Sequence, residues 1–232
     1  MYTKTAKFYD DLYSFKDFEP MARKLERIIE HYHPDCQSVL EVACGTGQFL
    51  KRLQRKYQVV GVDINPDMLS VAATQCPGVP LHQADMVEFD IGRRFDVIAC
   101  LFSSIAYVGT VERLRRAVER MVAHLNPQGV LLIEPFFTPE TCWNHDLRLN
   151  VYDGPERKIA WMYLTEVVGK LAVSEVHYLI GERTGVEHLT ERHEFGLFTD
   201  GEYREALERL GLDVHYDRSG ACGRGMYIGV VA

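Results

Sequence analysis

Two glycines and two aspartates have the types and spacing to bind a nucleoside. Gly45 and Gly47 close a turn directly after the apolar run Val39-Leu40-Glu41-Val42. A glycine turn at the end of a buried strand lets the backbone approach a ligand where a Cβ would block it or forbid the required φ. Asp63 follows a second apolar run, Val59-Val60-Gly61-Val62, and can accept hydrogen bonds from two ribose hydroxyls there. Asp85, with Met86 beside it, offers an acceptor for an exocyclic amine and a main-chain donor for a ring nitrogen. The alternatives are a helix-capping role for Asp63 and a solvated loop position for Asp85.

Two cofactor classes compete for this turn. A dinucleotide fingerprint requires G-x-G-x-x-G, and Leu50 stands at the third glycine position. It also requires an acidic residue about 20 positions on, which Asp63 only roughly supplies. S-adenosylmethionine has a carboxylate and an amine to hold and no pyrophosphate, so two glycines suffice. Glu41-Val42-Ala43-Cys44-Gly45-Thr46-Gly47 resembles motif I of the class I S-adenosylmethionine-dependent methyltransferases. Met68 and Leu101 would then pack on the adenine faces, unless they are plain core. A glycine turn without any ligand is the remaining reading.

The elements that position these residues follow from periodicity. Asp17 caps a helix carrying Met21, Leu25, Ile28 and Ile29, and Pro34 ends it. After the glycine turn, Gln48 to Lys56 is expected to be helical. Asn65-Pro66 opens the next helix with an N-cap and a first-turn proline. Leu81 marks a short third strand, and Phe95 to Phe102 reads as a fourth. Thr110 caps a helix with an apolar stripe through Leu114, Ala117, Val118, Met121, Val122 and Leu125. Asn126-Pro127-Gln128-Gly129 turns into a fifth strand, Val130 to Ile133, which ends at Glu134-Pro135.

Alternating strands and helices predict an α/β fold, doubly wound around a mostly parallel seven-stranded sheet. Ala43 to Gly47, Asp63, Asp85, Leu101 to Ser104 and Glu134 then converge at the carboxyl ends of the strands, where such sheets bind ligands. The pattern changes after Thr138. Lys158 to Val168, Leu171 to Ile180 and Val186 to Phe198 read as long antiparallel strands joined by glycine turns. The expected organisation is a cofactor-binding core over 1–137 and 198–232, whose aromatic N-terminal segment acts as a lid. A small antiparallel β insertion over 138–197 forms a substrate wall, a lid or a dimer surface. A helix from Tyr203 to Leu210 and strands Leu212 to Tyr216 and Met226 to Val231 complete the core.

Bulk properties narrow the class. The 232 residues are 47% hydrophobic and 25% charged, enough for one compact domain with a full core. No apolar run is long enough to span a membrane. Met1-Tyr2-Thr3-Lys4 lacks the apolar region of a secretory signal. Net charge is −7 without a basic tract, which disfavours a nucleic-acid substrate. Cys36, Cys44, Cys76, Cys100, Cys142 and Cys222 form no C-x-x-C pair, so no metal site and no disulfide framework is expected. A reducing cytoplasm is the simplest setting.

A wider set of residues carries a more specific resemblance. Tyr9-Asp10, Lys16-Asp17-Phe18, the glycine block, Asp85-Met86, Gly92 to Asp96, Phe102-Ser103-Ser104-Ile105-Ala106-Tyr107, Glu134-Pro135, Glu175 to Tyr178 and Gly223-Arg224-Gly225 occur in one order. Over nearly the full length this resembles the bacterial N,N-dimethyltransferases of dTDP-linked amino sugars of the desosamine and mycaminose type. The resemblance implies S-adenosylmethionine contacts at Tyr9, Ala43, Asp63, Asp85, Met86 and Leu101. It puts Tyr107 near the sugar amine, as a positioning group or weak base, and Phe137 and Tyr2 on the acceptor side. It implies that Arg224 holds the nucleotide diphosphate, a role for which a guanidinium is suited by its bidentate geometry; a surface salt bridge is the alternative for Arg224. Two departures also lie on the acceptor side. Phe18 stands where the family has Tyr, and Trp161-Met162-Tyr163-Leu164-Thr165-Glu166 replaces a polar run. His177 and His193 are expected to be structural.

The expected activity is methyl transfer from S-adenosylmethionine to the amine of a small molecule, foremost a nucleotide-linked amino sugar. The alternatives are another small amine or hydroxyl acceptor, and a cofactor-binding protein without turnover. No metal, nucleic acid or membrane is expected as a partner; a homodimer is admitted.

Overall fold

The computed structural model describes residue 2 and residues 4–231. The chain opens with a 3₁₀ turn, Ala6–Phe8, and a one-turn helix, α1 (Tyr9–Leu12). Helix α2 (Phe18–Tyr32) follows, with the Asp17 carboxylate accepting from the Glu19 N–H at its N-terminus. Strand β1 (Ser38–Val42) is buried along its whole length. After it come α3 (Leu50–Leu53), β2 (Gln58–Asp63), α4 (Pro66–Gln75), β3 (Leu81–Gln83) and β4 (Phe95–Cys100). Helix α5 (Val111–Ala123) and strand β5 (Leu125–Ile133) lead to β6 (Asp146–Asp153), β7 (Arg157–Val168), β8 (Leu171–Glu182) and β9 (Gly185–Gly196). The chain ends with α6 (Asp200–Glu208), β10 (Leu212–Asp217) and β11 (Met226–Val231).

Seven strands form one sheet in the order β3-β2-β1-β4-β5-β11-β10. Its strands are parallel except β11, which runs antiparallel to both β5 and β10. The strand order reverses direction at β1 and β4, so a crevice opens beyond their carboxyl ends. Both faces are covered. Leu40, Val42, Ile98, Cys100 and Leu131 pack against α5 and α6 on one side. Val39, Val97, Ala99 and Leu132 pack against α2 and α3 on the other. Burial on both faces accounts for the near-continuous apolar runs of β1, β2 and β4.

The helix starts are encoded locally. Asn65 accepts from the Asp67 and Met68 N–H groups with Pro66 behind it. Thr110 accepts from Arg113, and Thr199 forms a reciprocal capping box with Glu202. Each such cap contributes roughly 1 kcal/mol and sets where the preceding loop ends.

Three expected element bounds are corrected. The helix expected over Gln48 to Lys56 is only the single turn α3, because tighter bonds from Arg55 N to Arg52 O and from Lys56 N to Leu53 O end it. Strand β4 stops at Cys100, since Phe102 and Ser103 adopt φ of 54° and 62° and leave the ladder. Strand β5 begins at Leu125, and its Asn126 to Gly129 turn is an irregularity inside the strand, with Gln128 at φ 63°.

The antiparallel sheet has four strands, β6-β7-β8-β9, not the three expected. The added strand, β6, pairs along β7 from Asp146↔Thr165 to Asp153↔Lys158. On the inner face Ile159, Trp161, Val176, Tyr178 and Ile180 pack on Phe8 and Leu12 from the N-terminal segment. The Lys4 N–H and the Thr5 hydroxyl donate to Glu191 on β9, and Arg157 pairs with Asp11 at 2.8 Å. The N-terminal segment therefore lies between the two sheets.

Candidate active site

A cavity of about 690 Å³ opens at the carboxyl ends of β1, β2 and β4, between the large sheet and the inner face of the antiparallel one. Its first wall is the turn after β1. Ala43 and Gly45 have φ of 60° and 54°, and a Cβ built on Gly45 would meet no atom within 4 Å, so the turn presents bare backbone to open space. Gly47 differs: it does not line the cavity. A Cβ there would fall 2.9 Å from the Cys76 sulfur, so this glycine serves close packing against α4.

Asp63 ends β2 and faces the cavity. Its carboxylate accepts from the Gly45 N–H at 2.8 Å and the Asn65 N–H at 2.9 Å, which fixes its rotamer. Burial raises its pKa against those stabilising bonds. Glu41, on β1, is buried and lines the same space, and its Oε2 has no hydrogen-bond partner among the described residues. Burial holds its pKa well above the usual carboxylate range. A buried acceptor without a donor is costly unless a ligand donor reaches it, and an ammonium group would.

Asp85 accepts from the Val87 N–H at 3.1 Å and from the Arg113 guanidinium at 2.9 Å. Arg113 also lines the cavity, next to Met86 and Ala84. Met68 and Leu101 are buried apolar wall. The far wall is aromatic. The Tyr9 ring lies 5.0 Å from Tyr2 and 4.6 Å from Tyr13, and Tyr13 stands edge-on to Phe102 at 5.4 Å. Phe18 packs on Phe49 and Phe102. Electron-rich ring faces suit a sulfonium cation, and their bulk excludes water.

Arg224 enters from the loop between β10 and β11. The buried Glu134 carboxylate accepts from the Phe102 N–H at 2.9 Å and the Cys222 N–H at 2.6 Å, tying that loop to the end of β4. The Arg224 guanidinium donates to the Ser103 hydroxyl at 3.0 Å, which donates to the Pro135 carbonyl at 2.6 Å. It lies 5.8 Å and 5.4 Å from the Phe136 and Phe137 ring centres and pairs with no carboxylate among the described residues. Phe137 and Tyr163 share this end of the lining with Trp143, Arg148 and Asn150. The Tyr107 hydroxyl meets His193 Nδ1 at 3.0 Å.

Apart from Gly47 and Glu134, the residues nominated from the sequence line this cavity: Tyr2, Tyr9, Phe18, Ala43, Gly45, Asp63, Met68, Asp85, Met86, Leu101, Tyr107, Phe137, Tyr163 and Arg224. Sequence reasoning missed Arg113 and Arg148, and it set His193 aside as structural. Glu41 was visible inside the glycine block but was given no role. Among the described residues, no group of His, Cys, Asp and Glu is arranged to hold a metal, and no helix is long and apolar enough to cross a membrane.

Comparison with known proteins agrees with this geometry. A methyltransferase domain model matches residues 39–129. The chain is 35% identical to the dTDP-4-amino-2,3,4,6-tetradeoxy-D-glucose N,N-dimethyltransferase of Saccharopolyspora spinosa, over 97% of this chain and 92% of that one. Among solved structures, Streptomyces venezuelae DesVI superposes with a TM-score of 0.91 at 33% identity, covering 97% of this chain and 98% of that one. CalS10, a SAM-bound amino pentose methyltransferase of Micromonospora echinaspora, superposes with a TM-score of 0.85 at 31% identity, covering 94% and 92%. The bare-backbone turn, the orphaned Glu41 oxygen and the Asp63 carboxylate fit the cofactor of this group, and the chain belongs to the S-adenosylmethionine-dependent methyltransferases, in the family of dTDP-amino-sugar N,N-dimethyltransferases.

Proposed function

We propose that this enzyme N-methylates a nucleotide-linked amino sugar, with Arg224 holding the diphosphate. The observation that carries the reading is a guanidinium facing a cavity with neutral partners only. A cation kept without a carboxylate at an aromatic-lined site is suited to a phosphate oxygen pair. Titration of dTDP alone into the wild type and into Arg224→Ala tests this: the nucleotide should bind the first and bind the second at least about tenfold more weakly. Equal affinities would remove the diphosphate from the site.

When bound, S-adenosylmethionine supplies an electrophilic methyl group on a cationic sulfur. Asp63 would accept from the ribose hydroxyls, and Asp85 and Met86 would meet the adenine. Glu41 would accept from the ammonium group, and the Ala43 to Gly45 backbone would lie along the methionine portion. Tyr9 and Tyr13 would cover the sulfur and keep water out. On the acceptor side, Phe137 and Tyr163 would flank the nucleotide while Tyr107 orients the amine. The nitrogen lone pair forms the new N–C bond as the C–S bond breaks. Its electron pair stays on sulfur, and the extra proton leaves the nitrogen for solvent. Holding nucleophile and electrophile in line can supply an effective molarity on the order of 10⁵ M, so a strong base is not required. Loss of charge at sulfur needs no oxyanion-type stabilisation.

The antiparallel sheet has a wall function on its inner face and, we infer, a dimer contact on its outer one. Leu147, Leu149, Val151, Met162, Leu164, Leu179 and Val186 are exposed there on neighbouring strands. A contiguous apolar face of this kind suits a second copy of the chain. Sedimentation should give a dimer that Leu149→Asp converts to a monomer; a wild-type monomer would leave the face without that role. All six cysteines are free thiols, which suits a cytoplasmic setting.

A further inference from the structure

We propose that His193 is a positioning residue that fixes the direction of the Tyr107 hydrogen bond, so that Tyr107 offers the cavity an acceptor oxygen. The inference rests on the reading above, that an amine is brought to Tyr107. It starts from a chain of three side chains, of which His193 and Glu191 are buried and Tyr107 is half-buried. The Tyr107 hydroxyl lies 3.0 Å from His193 Nδ1, and His193 Nε2 lies 3.9 Å from Glu191 Oε2. His193 is 3% exposed, and its Nε2 has no hydrogen-bond partner among the described residues. Glu191 is anchored by the Lys4 N–H at 2.8 Å and the Thr5 hydroxyl at 2.5 Å.

A neutral imidazole carries one proton, and the two nitrogens are not equivalent here. A bare Nε2 would aim its lone pair at the Glu191 carboxylate. A protonated Nε2 aims a positive N–H at that carboxylate, beyond hydrogen-bond reach but with favourable sign. The Nε2–H tautomer is therefore favoured, which leaves Nδ1 as an acceptor. Burial disfavours the imidazolium and pushes the His193 pKa down to about 4, so the ring stays neutral at pH 7 and only one of its nitrogens carries a proton. Burial likewise raises the Tyr107 pKa well above its ordinary value, so its hydroxyl stays protonated and donates a hydrogen bond to Nδ1.

The consequence reaches the methyl transfer. A hydroxyl that has donated to His193 has only lone pairs left for the cavity. It can accept from an N–H of the substrate amine and cannot donate to the nitrogen lone pair. A donated hydrogen bond would occupy the electron pair that must attack the methyl carbon. An accepted one turns that pair away from Tyr107 and restricts the nitrogen's rotation.

The test has two arms. Long-range proton–nitrogen correlation spectra of the wild-type protein, specifically labelled at histidine, report the His193 tautomer at pH 7. The proposal expects the proton on Nε2; a proton on Nδ1 overturns it. This arm needs no acceptor, so it decides the proposal even if no amino sugar is ever methylated, and a failure of that reading is seen separately as absence of turnover. The second arm is a kinetic cycle with His193→Phe and Tyr107→Phe. His193→Phe should lower kcat about tenfold, the scale of one hydrogen bond, with acceptor KM within about twofold. In the Tyr107→Phe background it should cause no further loss, and His193→Gln, which retains an acceptor, should recover part of kcat. Equal losses in both backgrounds, or no recovery with Gln, would overturn the proposal.

Discussion

Asp63 accepts the Gly45 backbone N–H at 2.8 Å, so the carboxylate that faces the cavity from the end of β2 also holds the glycine turn at the end of β1. The side chain proposed to hold the ribose thus also sets the turn geometry. Asp63→Ala is expected to weaken S-adenosylmethionine binding by roughly 1–3 kcal/mol, the scale for losing hydrogen bonds to a charged group. Isothermal titration checks this, and unchanged affinity would refute the role. Asp63→Asn should lose less, because an amide oxygen can still accept one of the backbone hydrogens.

Arg224→Ala should raise the KM for a diphosphate-linked acceptor at least about tenfold while leaving cofactor affinity near its wild-type value. Arg224→Lys should recover only part of the loss, since an ammonium group cannot form the bidentate pair. Steady-state kinetics with varied acceptor separates the two substrates. An unaltered acceptor KM would remove Arg224 from the nucleotide.

Tyr107→Phe should retain turnover within about tenfold of the wild type if alignment of the amine is its task. Loss of several orders of magnitude in kcat would make its hydroxyl an obligatory proton acceptor.

The legible part of this architecture was locally encoded. The caps at Asp17, Asn65 and Thr110 each bond within three residues, and β1, β2 and β4 are apolar because both faces are covered. The convergence of Ala43, Asp63, Asp85 and Leu101 then follows from sheet topology. Strand β6 escaped notice because its polarity is inverted: Leu147, Leu149 and Val151 face outward, while Arg148 and Asn150 line the cavity. No local pattern announces a strand whose polar residues point toward the site. His193 was discounted for a similar reason, since its contact with Tyr107 spans 86 positions and exists only after β9 docks.

The depressed His193 pKa also makes a stability prediction. The folded protein titrates this group at about 4, below the ordinary 6.5, so between those values the unfolded chain binds more protons than the folded one. Folding stability should therefore fall as pH drops through that window, by up to about 3 kcal/mol from this group, and should be unaffected by it above pH ~7. Urea unfolding of the wild type and His193→Phe from pH 4 to 8 isolates the effect. The wild type should lose more stability on acidification than the variant, and parallel curves would contradict a buried neutral His193.

The central claim is that this cavity brings the amine of a nucleotide-linked sugar to S-adenosylmethionine. Incubation of the enzyme with methyl-labelled S-adenosylmethionine and a dTDP-amino sugar, followed by mass spectrometry of the sugar nucleotide, tests it most directly. The account predicts label on the amino nitrogen and one S-adenosylhomocysteine for each methyl transferred. Tight cofactor binding with no labelled product, across dTDP sugars bearing the amine at different ring positions, would contradict it.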